Sequence, residues 1–204
     1  MKIEFKNDRI TFDKQLNKLD KFVIEFISIL NEFDIKYVII SGYVSILFGR
    51  NRASEDIDIF VEKLNFTKFR LFWEKLYEKF ECIITTDPKE AYNTYLLDEL
   101  AIRFAKKDEV IPNIELKFPI KEVDKWTLEN RLKVTCNKNE IYISPIELQI
   151  VYKLFLSSEK DIEDAEYLYI LFKEKLNNEI LQYFLKEFDQ EQKFKRDIIG
   201  PSEN

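Results

Sequence analysis

Leu16, Leu19, Phe22, Val23, Phe26, Ile27, Leu30 and Phe33 recur at three- and four-residue intervals, which predicts an amphipathic helix over 13–33. Ile29 widens its apolar face, so the helix is expected to be deeply buried. The run Tyr37-Val38-Ile39-Ile40 reads as a central strand over 36–41, stopping in a turn at Ser41-Gly42. A short helix over 43–48, closed by Gly49, follows. Over 56–61, Ile57, Ile59 and Val61 alternate with Asp56, Asp58 and Phe60, the periodicity of a strand with both aspartates on one face.

Helical spacing returns over 65–80 through Phe66, Phe69, Phe72, Trp73 and Leu76, followed by a strand over 82–85. Asp87-Pro88 opens a helix reaching 97, because proline suits a first helical turn. Strands over 100–105 and 114–118 are expected to form a hairpin through 106–113, with Ala101 and Arg103 on one face of the first strand and Glu115 and Lys117 on one face of the second. A second hairpin joins 132–136 to 141–144 over Asn137-Lys138-Asn139. Beyond Pro145 the pattern is helical over 145–156, 161–172 and 178–188. The whole reads as an α+β fold, a mixed sheet flanked by helices and carrying a C-terminal helical bundle. The expected division is a head over 1–143, a helical region over 144–190 and a frayed tail over 191–204.

Composition narrows the chemistry. The 204 residues are 46 % hydrophobic and 34 % charged, the balance of a folded globular chain. A net charge of -6 disfavours non-specific attraction to nucleic acid or anionic membranes. Histidine is absent, which removes Ser-His and Cys-His nucleophile pairs, an imidazole base and His-ligated zinc. Chemistry must run on carboxylates, lysine, arginine or a hard metal. Cys82 and Cys136 form no Cys-x-x-Cys pair and are expected to be buried reduced thiols. The N-terminus lacks a signal-like apolar region, and the apolar run over 22–30 is interrupted by Glu25. A cytoplasmic protein without membrane association is expected.

Two of the three glycines, Gly42 and Gly49, fall just before the aspartate strand. Ser41-Gly42 follows a strand and opens a short helix, so its amides could face an anion; a tight strand-to-helix turn explains it as well. Asp56-Ile57-Asp58 places two carboxylates on one strand face, about 6.5 to 7 Å apart at the backbone, where they could share hard cations. A solvated strand face is the plainer account of that pair. Glu115 could supply a third carboxylate from a later strand.

Taken together, Ser41-Gly42-Tyr43-Val44 through Gly49, Arg52, Ser54, Asp56 and Asp58 resembles the signature of the polymerase-β-like nucleotidyltransferase superfamily, with Ser41 where glycine is commoner. The segment Ser144-Pro145-Ile146-Glu147-Leu148, Lys153, Lys160-Asp161, Asp164 and Tyr167-Leu168 is similar to the second signature of AbiEii-type, toxin-like minimal members. The resemblance implies transfer of a nucleoside monophosphate from a nucleoside triphosphate, ATP among the candidates, with Mg2+ or Mn2+ as cofactor. Asp56, Asp58 and Glu115 would be the catalytic, metal-binding carboxylates. Ser41, Gly42, Arg52, Ser54, Lys153 and Asp161 would bind the nucleotide.

Several of these residues have plainer uses. Arg52 could pair with Glu55, Lys153 could sit in a surface ion pair, and Arg103 and Lys117 could pair with Glu115. The acceptor hydroxyl could belong to a tRNA end, a protein or a small molecule, with the acidic surface favouring the last two, and a cognate antitoxin would be a further partner. The alternative is a catalytically degenerate nucleotide-binding or interaction protein of the same fold.

Overall fold

The computed structural model describes residues 3–6 and 9–200. Among them, nine strands form one mixed sheet in the order β1-β2-β8-β9-β3-β4-β7-β6-β5. The strands are β1 (Glu4–Lys6), β2 (Arg9–Phe12), β3 (Tyr37–Ile39), β4 (Asp56–Val61), β5 (Phe80–Cys82), β6 (Ile102–Lys106), β7 (Asn113–Lys117), β8 (Leu132–Cys136) and β9 (Asn139–Ile143). At the centre, β3 runs antiparallel to β4 and β4 parallel to β7. The α+β expectation is met.

Helix α1 (Lys18–Glu32) is shorter than the apolar spacing predicts, because Asn17 caps it. The Asn17 side chain accepts from the Asp20 amide at 2.8 Å, and the Asn17 amide donates to Asp20 Oδ2 at 2.9 Å, a reciprocal capping box. Asp20 is fully buried and also accepts from the Tyr43 hydroxyl at 3.0 Å, so the start of α1 is tied to α2 (Gly42–Leu47). Helix α3 is Phe66–Leu76. After the Asp87 cap, α4 (Pro88–Glu90) loosens into a π-helical turn over Ala91–Leu96.

Helix α5 (Glu122–Glu129) and the β1–β2 hairpin were not anticipated by the apolar pattern. The Asp124 carboxylate starts α5 by accepting from the amides of Ile120 and Lys121. The β8–β9 hairpin turns more tightly than expected, since Asn137 and Lys138 both take positive φ and Asn139 already belongs to β9.

The C-terminal helices are α6 (Ile146–Leu156), α7 (Glu159–Phe172) and α8 (Asn178–Glu187). One apolar core runs from the sheet into them: Phe48 after α2 meets Phe172 of α7 edge to face at 4.8 Å. The expected frayed tail over 191–204 is corrected over its first part. Residues Glu191–Phe194 form α9 and Lys195–Ile199 a π-helical turn, anchored by buried Phe194 against Tyr169. The remainder, 201–204, lies outside the described residues. Cys82 and Cys136 are buried free thiols, as expected.

Candidate active site

Buried Ile57 and Ile59 on β4, and Ile114 and Leu116 on β7, face the core, so Asp56, Asp58, Glu115 and Lys117 share the opposite face. In the parallel register Asp58 stands opposite Glu115, Asp56 opposite Asn113, and Phe60 opposite Lys117. The three predicted carboxylates are therefore neighbours on one patch of sheet. Burial pushes the Asp58 carboxyl above the ordinary aspartate range; Lys117 pulls it down, and the Glu115 and Asp56 carboxylates push it further up.

Cations already attend these groups. Lys117 Nζ lies 3.3 Å from Asp58 Oδ1 and 3.8 Å from Glu115 Oε1, and Arg103 donates to Glu115 Oε2 at 3.2 Å. The cross-strand pairing of Arg103 and Glu115 is the one anticipated from strand parity. The Ser54 hydroxyl donates to the Asp56 carbonyl at 3.0 Å, shaping the entry to β4.

The Ser41-Gly42 turn lies at the end of β3, and the Ile40 amide donates to the Asp58 carbonyl at 3.0 Å. Ser41 has φ of 65° and ψ of −143°, a combination that strains any residue carrying a Cβ. Gly42 makes a close approach to a side chain. A Cβ there would meet the Arg52 guanidinium at 2.9 to 3.1 Å.

Arg52 reaches Gly42 because it is held from the other side by Asp164, not by Glu55 as the sequence suggested. Fully buried Asp164 also pairs with Arg50, and it accepts an ion pair from Lys153 at 3.1 Å. Lys153 is only 2 % exposed and bonds Asp161 at 2.6 Å. Lys153 and Asp161 are thus brought together, in a buried charge network that reaches Gly42 through Asp164 and Arg52. Burial pushes the Asp161 carboxyl up, but bonds from Lys153 and the Ser158 hydroxyl outweigh it and hold the group below the ordinary aspartate range.

Two contributors escaped the sequence reading. Arg50 completes the charge network, and Gln149 of α6 binds the Ser41 peptide. The signal for Gln149 was a lone amide inside the apolar run Leu148-Gln149-Ile150-Val151. A cavity of about 240 Å³ opens beside the carboxylates between the sheet, α5 and α6, and its wall includes Ser41, Asp58, Lys117, Asp124, Gln149 and Tyr152.

The donor set suits a hard divalent cation, being carboxylate oxygens on one face beside Asn113, whose buried Oδ1 has no hydrogen-bond partner. As the side chains stand, no three metal-ligating groups close on a common point among the described residues.

No family model matches the chain, and no curated protein matches it. Solved structures do. An antigenic nucleotidyltransferase-like protein from Paracoccidioides brasiliensis superposes with a TM-score of 0.52 at 14 % identity, covering 91 % of this chain and 94 % of that one. The chain has the nucleotidyltransferase-like fold. The antibiotic-resistance factor ANT(2'')-Ia in solution gives a TM-score of 0.55 at 12 % identity over 85 % of this chain and 92 % of that one. The lincosamide antibiotic adenylyltransferase LnuA, with lincomycin bound, gives 0.48 at 13 % identity over 76 % and 98 %. The patch described above lies on β4 and β7, beside Ser41 after β3, which Gln149 near the start of α6 binds. Among the described residues no helix is long and apolar enough to cross a membrane.

Proposed function

We propose that the protein is a nucleotidyltransferase that moves a nucleoside monophosphate from a nucleoside triphosphate to an acceptor hydroxyl. The observation that carries this reading is the register that sets Asp58 against Glu115, with Asp56 on the same face and Ser41 beside Asp58 on the wall of one cavity. The nucleotidyltransferase-like fold supports it.

Asp56, Asp58 and Glu115 would hold Mg2+ or Mn2+, which when bound neutralises charge on the triphosphate and favours an attacking oxygen over a hydroxyl. In the transfer, the acceptor oxygen forms a bond to the α-phosphorus, the bond from that phosphorus to the bridging oxygen breaks, and pyrophosphate leaves. Glu115, or Asp58 opposite it, would take the acceptor proton. The Ser41 and Gly42 backbone faces the phosphates, with Ser54 shaping the strand entry and Arg52 adding positive charge beside Gly42. Lys153 and Asp161 act through the buried network that fixes Arg52.

The acceptor classes in keeping with the acidic chain are a small hydroxylated molecule or a protein, with a tRNA end as a third. The segment from Ser144 to Leu168 supports an AbiEii-type, toxin-like role in the cytoplasm, beside a cognate antitoxin. Incubation with each α-labelled nucleoside triphosphate, Mg2+ and, separately, tRNA, the protein itself and hydroxylated small molecules tests the reading. Label transfer lost in Asp58→Ala supports it; absence of transfer to every acceptor overturns it.

One observation favours a second reading. Lys117 pairs with Asp58 and Glu115, and Arg103 with Glu115, so the chain's own cations balance two of the three carboxylates. A degenerate nucleotide-binding protein predicts triphosphate binding that is indifferent to Mg2+ and without turnover.

A further inference from the structure

Ser41 is held from outside its own turn. Its amide donates to Gln149 Oε1 at 3.3 Å, Gln149 Nε2 donates to the Ser41 carbonyl at 2.7 Å, and the Ser144 hydroxyl donates to Gln149 Oε1 at 2.8 Å. Gln149 is 3 % exposed, so its amide is satisfied chiefly by these partners. One side chain of α6 thereby reads both the donor and the acceptor of a single residue in the turn after β3. The Ser144 amide closes the frame by donating to the Ile39 carbonyl at 2.9 Å.

The residue so gripped is the strained one. A serine at φ 65° and ψ −143° gains by rotating back to negative φ, which would turn its amide and carbonyl away from their present directions. Ser41 makes no side-chain bond that caps α2, so its own side chain does not hold the turn. The Gln149 amide opposes that rotation directly, and the cavity wall that Ser41 shares with Asp58 keeps its shape.

We propose that Gln149 is a positioning residue, a clamp that holds the Ser41 peptide in the conformation presented to the nucleoside triphosphate. The inference rests on the nucleotidyl-transfer reading for its ligand, and on geometry alone for the clamp.

Two measurements test it separately. In nucleotide-free protein, amide hydrogen exchange at Ser41 is compared between wild type and Gln149→Met, which keeps side-chain length and removes both hydrogen bonds. Exchange at Ser41 is expected to accelerate about tenfold or more, with β4 amides unchanged; unchanged exchange at Ser41 overturns the clamp. In the label-transfer assay, Gln149→Met is expected to raise KM for the triphosphate about 5- to 100-fold with kcat altered less than about threefold.

The deciding comparison repeats that substitution in a Ser41→Gly background. Glycine holds positive φ without restraint, so there the rise in KM caused by Gln149→Met should shrink to within about threefold. An equal rise in both backgrounds means that Gln149 merely packs α6, and overturns the proposal. If Gln149→Met fails to fold, Gln149→Asn carries the test, since it keeps a neutral amide in α6 and withdraws it by one methylene from the Ser41 peptide; the same rescue by Ser41→Gly is expected and its absence has the same meaning. A wild-type chain that transfers no label refutes the nucleotidyl-transfer reading, while the exchange experiment still decides the clamp.

Discussion

Asp58 of β4 stands opposite Glu115 of β7, and that pairing cannot slip by one residue without turning one of the two carboxylates into the core. Ile57, Ile59, Ile114 and Leu116 lock it by being buried on the other face. The same burial that makes the central sheet stable therefore assembles the candidate site.

Replacing either member of this pair by its amide should remove transfer while sparing the fold. Asp58→Asn and Glu115→Gln are each expected to lower kcat by about 10²-fold or more, with circular dichroism and thermal midpoint near wild type. Label transfer read beside a melt checks both halves. Full activity in Glu115→Gln would remove it from the carboxylate set.

Asp164 is fully buried and pairs with Arg50, Arg52 and Lys153. Asp164→Ala would leave those cations without their central partner, at a cost of about 3–5 kcal/mol. The thermal midpoint should fall by about 10 °C. A shift of only a degree or two would show that the network is more hydrated than its burial implies.

Asp161 is held below the ordinary aspartate range in the folded state by Lys153 and Ser158. A depressed folded value means that its contribution to stability is complete above the unfolded value, near about 3.9, and is lost as pH falls through the folded one. Urea midpoints of wild type and Asp161→Asn should differ by a constant amount from pH 7 to about 5 and converge below about pH 4. A gap that persists to the lowest pH would assign the effect to packing.

Ser45 lies on buried α2 with a hydroxyl that finds no hydrogen-bond partner. Ser45→Ala removes a desolvated, unsatisfied group, so stability should hold or rise by up to about 1 kcal/mol. Chemical denaturation gives the answer directly, and a loss of more than about 1 kcal/mol would contradict it.

How much of this was legible depended on whether a segment's neighbours were also its signal. Strand β4 matched its predicted bounds over 56–61 because strict alternation states both the strand and its faces. Helix α1 was visible but overrun at its start, since the Asn17 cap is a local polar event that apolar spacing does not report. Helix α5 was missed because only Thr127 and Leu128 on it are buried, too few to leave a period. The helical stretch after 190 was missed for a related reason: it is held by Phe194 against Tyr169, by Lys193 on the Leu154 carbonyl and by half-buried Ile198 and Ile199, contacts with distant segments that leave no regular period.

By itself the sequence determined the mixed α and β composition, the shared face of Asp56 and Asp58, the absence of imidazole chemistry and the rare glycine after β3. These follow from period, residue type and order, which are properties of the chain before it folds. Only the tertiary structure decided that Glu115 is the residue opposite Asp58, that Arg52 answers to Asp164, that Lys153 is buried, and that Gln149 grips a strained Ser41 from 108 residues away. Each of those is a pairing between distant segments. Register, desolvation and hydrogen-bond geometry come into being when the sheet closes against α6 and α7, and no local pattern carries them.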